Sequence, residues 1–188
     1  KLGDPWLYDG SISSADPADL PAGSVAVIFD GRRVVGVGLW DPSSPICVKV
    51  LHSGGPLNVD RQLWIDRLEV AKARRGALID DPSTTAWRWV HGENDSLPGL
   101  VLDRYDDTLV IKLYSDAWYP HLHDVVSAAQ QVMPSTTVVL RCARRVTPPV
   151  GAPTDGDVLL GSMATGMVSY LERGLTMTAD VRRDRKST

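Results

Sequence analysis

The stretch Gly23-Ser24-Val25-Ala26-Val27-Ile28-Phe29-Asp30-Gly31-Arg32-Arg33-Val34-Val35-Gly36-Val37-Gly38-Leu39-Trp40 decides how the chain begins to fold. Val25, Val27 and Phe29 alternate with Ala26 and Ile28 as the two faces of a strand. Asp30-Gly31 is a dipeptide that two-residue hairpin turns favour, and Arg32 to Trp40 returns as a second strand. Gly36 and Gly38 permit a bulge or a tight bend, which suggests a small barrel rather than an open parallel sheet. Asp41-Pro42-Ser43-Ser44-Pro45 reads as a turn, and Ile46 to Leu51 as a third strand.

Beyond this region the period changes. Leu63, Ile65, Leu68, Ala71 and Leu78 fall near helical spacing over 60–78, with Asn58 or Asp60 as the cap. Arg61, Arg67, Lys72, Arg74 and Arg75 cover the rest of that helix, as a solvated face or as an RNA-facing stripe. Asp80-Asp81-Pro82-Ser83-Thr84 breaks the pattern and marks a domain boundary. Then Ala86 to His91 reads as a strand, and Leu100–Leu102 with Thr108–Tyr114 as a hairpin. Ser115 caps a helix from Asp116 to Val132, Pro134 stops it, and Thr136 to Cys142 is another strand. After a loop over 147–157, residues 167–171 and 175–181 form a last hairpin about Arg173-Gly174. Strands, one helix, then strands predict a compact α+β module.

Composition narrows the function. The 188 residues are 43% hydrophobic and 23% charged, enough to bury a core. Apolar runs such as Val34 to Trp40 fall far below the ~20 residues of a bilayer span, and Asp4, Asp9 and Asp16 interrupt any leader-like core. No membrane association is expected. Cys47 and Cys142 have no CxxC partner and read as buried free thiols of a cytoplasmic protein. Net charge is −3, with nine basic against nine acidic residues in 1–78 and six against nine in 79–146. That balance excludes a general nucleic-acid binder and leaves room only for a local patch.

Motifs for chemistry are sparse. The glycines at 31, 36 and 38 lie inside a hairpin, and Gly161 to Gly166 carries no Lys, so neither predicts a phosphate loop. His121 and His123 sit two apart on a helix and point to different faces. Glu93, Asp95 and Asp103 read either as an acid/base pair or as turn and capping groups. Trp6, Trp40 and Trp64 are interleaved with Lys1, Arg32, Arg33 and Arg61, a mixture that can grip single-stranded RNA. Core packing is the rival reading, above all for Trp40 and Trp64. Residue chemistry alone thus gives two modules, with binding favoured over catalysis.

One further segment is informative. Arg88-Trp89-Val90-His91-Gly92-Glu93-Asn94-Asp95-Ser96-Leu97-Pro98-Gly99-Leu100-Val101-Leu102-Asp103-Arg104-Tyr105 resembles the R-L-x-x-G-E-x-D-G-L-P-G-L-x-V-D-x-Y signature of bacterial large-subunit rRNA cytosine-C5 methyltransferases with an N-terminal PUA domain. Gly3-Asp4-Pro5-Trp6-Leu7-Tyr8-Asp9-Gly10-Ser11-Ile12 is similar to that family's start, and Leu175 to Lys186 to its approach to the catalytic domain. Asp4 and Ser96 depart from the family's His and Gly, and Asp184 to Thr188 from its G-Q-K-T-G.

The resemblance implies an α+β protein. A PUA-like small β-barrel with its C-terminal helix would cover 1–76, a β-β-α-β-β connecting domain 77–178, and 179–188 would begin a linker to a Rossmann methyltransferase domain. It implies S-adenosylmethionine (SAM) in the parent family and no cofactor in this chain, whose Cys47 and Cys142 match no catalytic position. Ribosomal RNA is the implied partner. Lys1, Arg32, Arg33, Arg61 and Lys72 are candidate phosphate contacts, and Trp6 a stacking or packing residue. Lys1 in place of Met, with the stop at Thr188, reads as a fragment or as a natural truncation. The alternatives are a stand-alone RNA-binding adaptor and a protein-interaction module that forms a homodimer.

Overall fold

The computed structural model describes residues 4–17 and 19–183. The first sheet contains β1 (Trp6–Leu7), β2 (Val25–Asp30), β3 (Arg33–Trp40) and β4 (Val48–Ser53), in the order β1-β4-β3-β2. The expected hairpin forms, but its turn lies one residue later than the Asp30-Gly31 dipeptide: Asp30 pairs with Arg33 as the last residue of β2, and Gly31, at φ +59°, and Arg32 make the turn. The expected bulge lies between Val37 and Gly38 in the β3–β4 ladder. A Cβ on Gly38 would stand 2.5 Å from the Lys49 carbonyl oxygen, so only glycine allows β4 to approach this closely. Among the described residues β1 and β2 remain the two edges of this sheet.

Helix α1 (Arg61–Ala73) starts at Asp60, whose carboxylate accepts the Leu63 amide at 3.1 Å, and the short α2 (Gly76–Ile79) follows it. The second sheet contains β5 (Ala86–His91), β6 (Leu100–Tyr105), β7 (Thr108–Leu113), β8 (Thr137–Cys142) and β9 (Val158–Leu160), paired in that order. Strands β7 and β8 run parallel because α3 (Leu122–Val132) makes the crossover between them. The helix expected from Asp116 begins instead with a 3-10 segment, Asp116–His121. Pro120 lies inside that segment and has no N–H for a regular α-helical turn. A separate hairpin, β10 (Met167–Glu172) and β11 (Leu175–Asp180), closes the described chain.

The faces of the second sheet differ sharply. Leu102, Ile111 and Leu140 share one face by register and are fully buried in the main core, alongside Val125 and Ala129 of α3. On the other face stand Arg88, Asp103, Tyr105, Val110, Lys112, Val139 and Arg141. The main core extends through Trp64 and Leu68 of α1 to Leu39 and Leu51 of the first sheet. Trp64 and Trp118 meet at 5.3 Å between ring centroids at its centre. The boundary expected between 76 and 77 falls inside α2, and one apolar core runs across it.

Candidate nucleic-acid interface

The cations on α1 and just after it each have a partner within the chain, although Arg61 and Arg74 also stay exposed to water. Arg61 donates to Gln131 at 3.1 Å, and Lys72 to the Val132 carbonyl at the C-terminal end of α3 at 3.0 Å. Arg67 donates to the carbonyls of Leu51 and Ser96, and burial lowers its guanidinium to about 10, so it stays charged near neutrality. Arg74 and Arg75 converge on Asp95, with Arg75 bidentate at 2.9 and 2.7 Å. Burial alone would raise the Asp95 carboxyl, but hydrogen bonds from Arg75 and the His91 amide outweigh it and hold it below its ordinary value.

The segment over 93–99 is thereby explained as a clamp. Glu93 Oε1 accepts from the Trp6 indole at 3.1 Å and from the Gly99 amide at 3.2 Å. Gly99 has φ +75°, and the preceding Pro98 carbonyl accepts from Trp118 at 2.8 Å. Further up the first sheet, Asp41 pairs with Lys49 at 3.3 Å and accepts from Ser115, and all three side chains are buried. Asp95 and Glu93 therefore act as structural anchors, and Asp103 pairs with Arg88 at 2.8 Å, which raises the guanidinium through that hydrogen bond.

Arg32 and Arg33 are different. Both are exposed at the β2–β3 turn, and neither side chain has a partner among the described residues. Trp6 lies 40% exposed on β1 opposite Lys49, which itself faces Leu39 on β3. Leu39 lies six residue steps along β3 from Arg33, about 20 Å of strand, so Trp6 and the arginine turn form no single patch. Lys1 lies outside the described residues. Of the expected Trp core residues, Trp64 is buried and Trp40 is half-buried.

A second surface went unnoticed in the sequence. The outer face of the five-stranded sheet and the β10–β11 hairpin enclose a cleft of about 550 Å³. Val181 packs on Val110 and Val139 to seat the hairpin, and Tyr170 meets the Tyr105 ring at 5.4 Å. Arg88, Lys112, Arg141 and Arg183 line the cleft with Asp103, Asp180, Tyr105 and Tyr114. Lys112 and Arg141 are direct register partners, and Lys112 Nζ stands 5.4 Å from the Tyr114 ring centroid. Asp155 holds Arg141 at 2.8 Å; burial opposes ionisation of this carboxyl, but bonds from Arg141 and the Cys142 amide keep it low. The available signal was a single cation in each of two apolar strands, Thr108–Leu113 and Thr137–Cys142.

Residues 1–53 match the PUA-like domain family. The chain is 38% identical over 192 aligned positions to a ribosomal RNA large subunit methyltransferase of Deinococcus radiodurans, covering 98% of this chain and 47% of that protein. Ribosomal RNA large subunit methyltransferase I of Alteromonas mediterranea is 29% identical over 97% of this chain and 46% of its own length. The chain thus spans about half the length of the curated relatives it matches. Its fold matches a solved protein from Streptococcus mutans described as a SAM-dependent methyltransferase, with TM-score 0.75, 19% identity and coverage of 95% of this chain and 44% of the other. A methyltransferase structure complexed with S-adenosylhomocysteine gives TM-score 0.77 at 20% identity, covering 97% and 45%.

Neither glycine-rich stretch here fits such a cofactor. Gly31 lies in a hairpin turn, and the loop from Gly161 leads directly into β10, so no helix N-terminus follows either.

Proposed function

We propose that this chain is the RNA-recognition portion of a SAM-dependent methyltransferase that acts on cytosine C5 of large-subunit ribosomal RNA. Its 38% identity over 98% of its length to a ribosomal RNA large subunit methyltransferase carries the reading. The PUA-like match over 1–53, and the Arg32-Arg33 turn within it, whose side chains have no partner among the described residues, support RNA contact by this half. Methylation at C5 requires a thiolate to add at C6, so that C5 becomes nucleophilic toward the sulfonium methyl. Both cysteines here are poorly suited to that step. Burial raises the Cys47 thiol, which donates to the Leu7 carbonyl, and burial likewise raises Cys142, which lies 3.2 Å from the Tyr119 hydroxyl. The chemistry is accordingly assigned to a C-terminal Rossmann domain of the same protein, working in the cytoplasm.

Anisotropy titrations with large-subunit rRNA fragments should show binding that weakens steeply with salt, and calorimetry with SAM should show no binding by the 188-residue chain. Tight SAM binding would refute this division of labour, and absence of any rRNA affinity would refute the RNA role. A protein-interaction or homodimer reading draws on edge strand β2, where Val25, Val27 and Phe29 are 43%, 48% and 60% exposed. Sedimentation of a monomer at high concentration would dismiss it.

A further inference from the structure

We propose that the Arg144-Arg145 turn is a second phosphate contact, and that it and the Arg32-Arg33 turn hold one RNA strand from opposite ends of the first sheet. The inference rests on the RNA-recognition reading and extends the RNA-binding surface to the β5–β9 half of the chain.

Of the four Arg-Arg pairs in the sequence, two engage the chain itself. Arg74 and Arg75 close on Asp95, and Arg182 donates to the Gly156 carbonyl at 2.7 Å. Arg144 and Arg145, like Arg32 and Arg33, are exposed, and neither side chain has a partner among the described residues. The backbone that carries them is fixed. Ala143 donates its amide to the Leu113 carbonyl at 2.9 Å, and Val146 closes the turn by donating to the Ala143 carbonyl at 2.9 Å. The Val146 side chain is buried in the main core. The two guanidiniums therefore leave a turn that is already ordered, which lowers the entropic cost of binding. The carboxylates that reach this loop are occupied. Asp155 takes Arg141 and the Cys142 amide, and Asp116 accepts from the Thr147 amide at 2.9 Å and the Ser43 hydroxyl at 3.4 Å. Both arginines thus keep their charge for an anion from outside.

The placement of the two turns selects the kind of anion. Thr147 bonds Asp116, Asp116 bonds Ser43, and Ser115 bonds Asp41, so the Arg144-Arg145 turn stands at the Trp40 end of β3. Arg33 opens the other end, seven residue steps away, about 23 Å of strand. A single phosphate or a mononucleotide reaches one turn only. A stacked strand advances ~3.4 Å per nucleotide, so a chain of phosphates spans the interval. Guanidinium forks match phosphate oxygens at each end. Once one turn is engaged, the strand holds its remaining phosphates at high effective concentration near the other.

The test measures anisotropy of the 188-residue chain with large-subunit rRNA fragments, and with an unstructured RNA tetramer and dodecamer. Arg144→Glu with Arg145→Glu should weaken binding of the rRNA fragments about tenfold at low salt and reduce the salt slope by about 1–2. Arg144→Lys with Arg145→Lys should keep the slope, because the charge stays. When the Arg32-Arg33 reversal is combined with the Arg144-Arg145 reversal, the two losses of slope should add. The dodecamer's advantage over the tetramer should shrink at least about fivefold in either reversal, since only the dodecamer reaches both turns. Circular dichroism and melting should match wild type, because both side chains are exposed. Unchanged rRNA affinity on reversal of Arg144 and Arg145, with the loss at Arg32 and Arg33 intact, would overturn the second contact and leave the RNA-recognition reading standing. A dodecamer advantage that neither reversal alters, or a combined variant that loses no more slope than one pair, would overturn the shared strand. Absence of wild-type binding to every RNA would overturn both readings.

Discussion

The chain carries an Arg-Arg pair on the β2–β3 turn, Arg32-Arg33, and another after α1, Arg74-Arg75, and their surroundings could hardly differ. Arg74 and Arg75 close on the buried carboxylate of Asp95, and Arg75 also donates to the carbonyls of Ala71 and Arg88. Arg32 and Arg33 have no internal partner among the described residues. A buried carboxylate thus turns one dipeptide into a joint between α1 and the 92–95 turn, while the other keeps its charge for an outside anion. The physical cause is desolvation: Asp95 cannot stay ionised at 5% exposure without cations, so it engages those nearby.

The largest effect that this contrast predicts lies at Asp95. Asp95→Ala should cost about 3 kcal/mol in urea unfolding, since it leaves the Arg75 guanidinium, only 15% exposed, without its carboxylate. A loss below about 0.5 kcal/mol would show that the joint is an ordinary surface pair. The pH dependence has a definite sign. The folded carboxyl is held below its ordinary value of 3.8, so its stabilisation is complete above that value and is lost as pH falls through the lower folded value. Acid titration of stability should therefore be shallower in Asp95→Ala than in wild type, and identical acid profiles would contradict the assigned pairing.

The opposite pattern is expected for the turn. Arg32→Glu with Arg33→Glu should leave unfolding stability within about 0.5 kcal/mol of wild type. Binding to large-subunit rRNA fragments should weaken about tenfold at low salt, with a salt slope smaller by about 1–2. Unchanged affinity would move the RNA face away from the turn. A stability loss comparable with that of Asp95→Ala would abolish the distinction between the pairs.

Local features were legible in the sequence and distant partnerships were not. The β2–β3 hairpin at Gly31, the bulge at Gly38 and the Asp60 cap each depend on residues within a few positions of one another. The partners of Arg61 and Lys72, Gln131 and the Val132 carbonyl, were not legible because they lie 70 and 60 residues away. Glu93 and Asp95 looked like catalytic or capping carboxylates for the same reason, their partners Trp6 and Arg75 being 87 and 20 positions distant. The cleft was hidden in the alternation of β7, where Val110 and Lys112 share the face opposite Ile111. Strand β9 is only three residues long and carries no pattern to read.

Trp6 provides the smallest and most discriminating test, because its indole does two separable things. The Nε1–H reaches Glu93 at 3.1 Å, while the ring stays 40% exposed on edge strand β1. Trp6→Phe keeps an aromatic face and deletes the donor. Because the bond is solvent-accessible, the cost in stability should be about 0.5–1 kcal/mol. Glu93 retains the Gly99 amide at 3.2 Å, so its carboxylate is not orphaned. If Trp6 serves the clamp, RNA affinity should be the same in wild type, Trp6→Phe and Trp6→Ala, as anisotropy would show. Affinity kept by Phe and lost by Ala would instead assign the ring to base stacking. The far end of the first sheet would then join the Arg32-Arg33 turn as a surface turned outward.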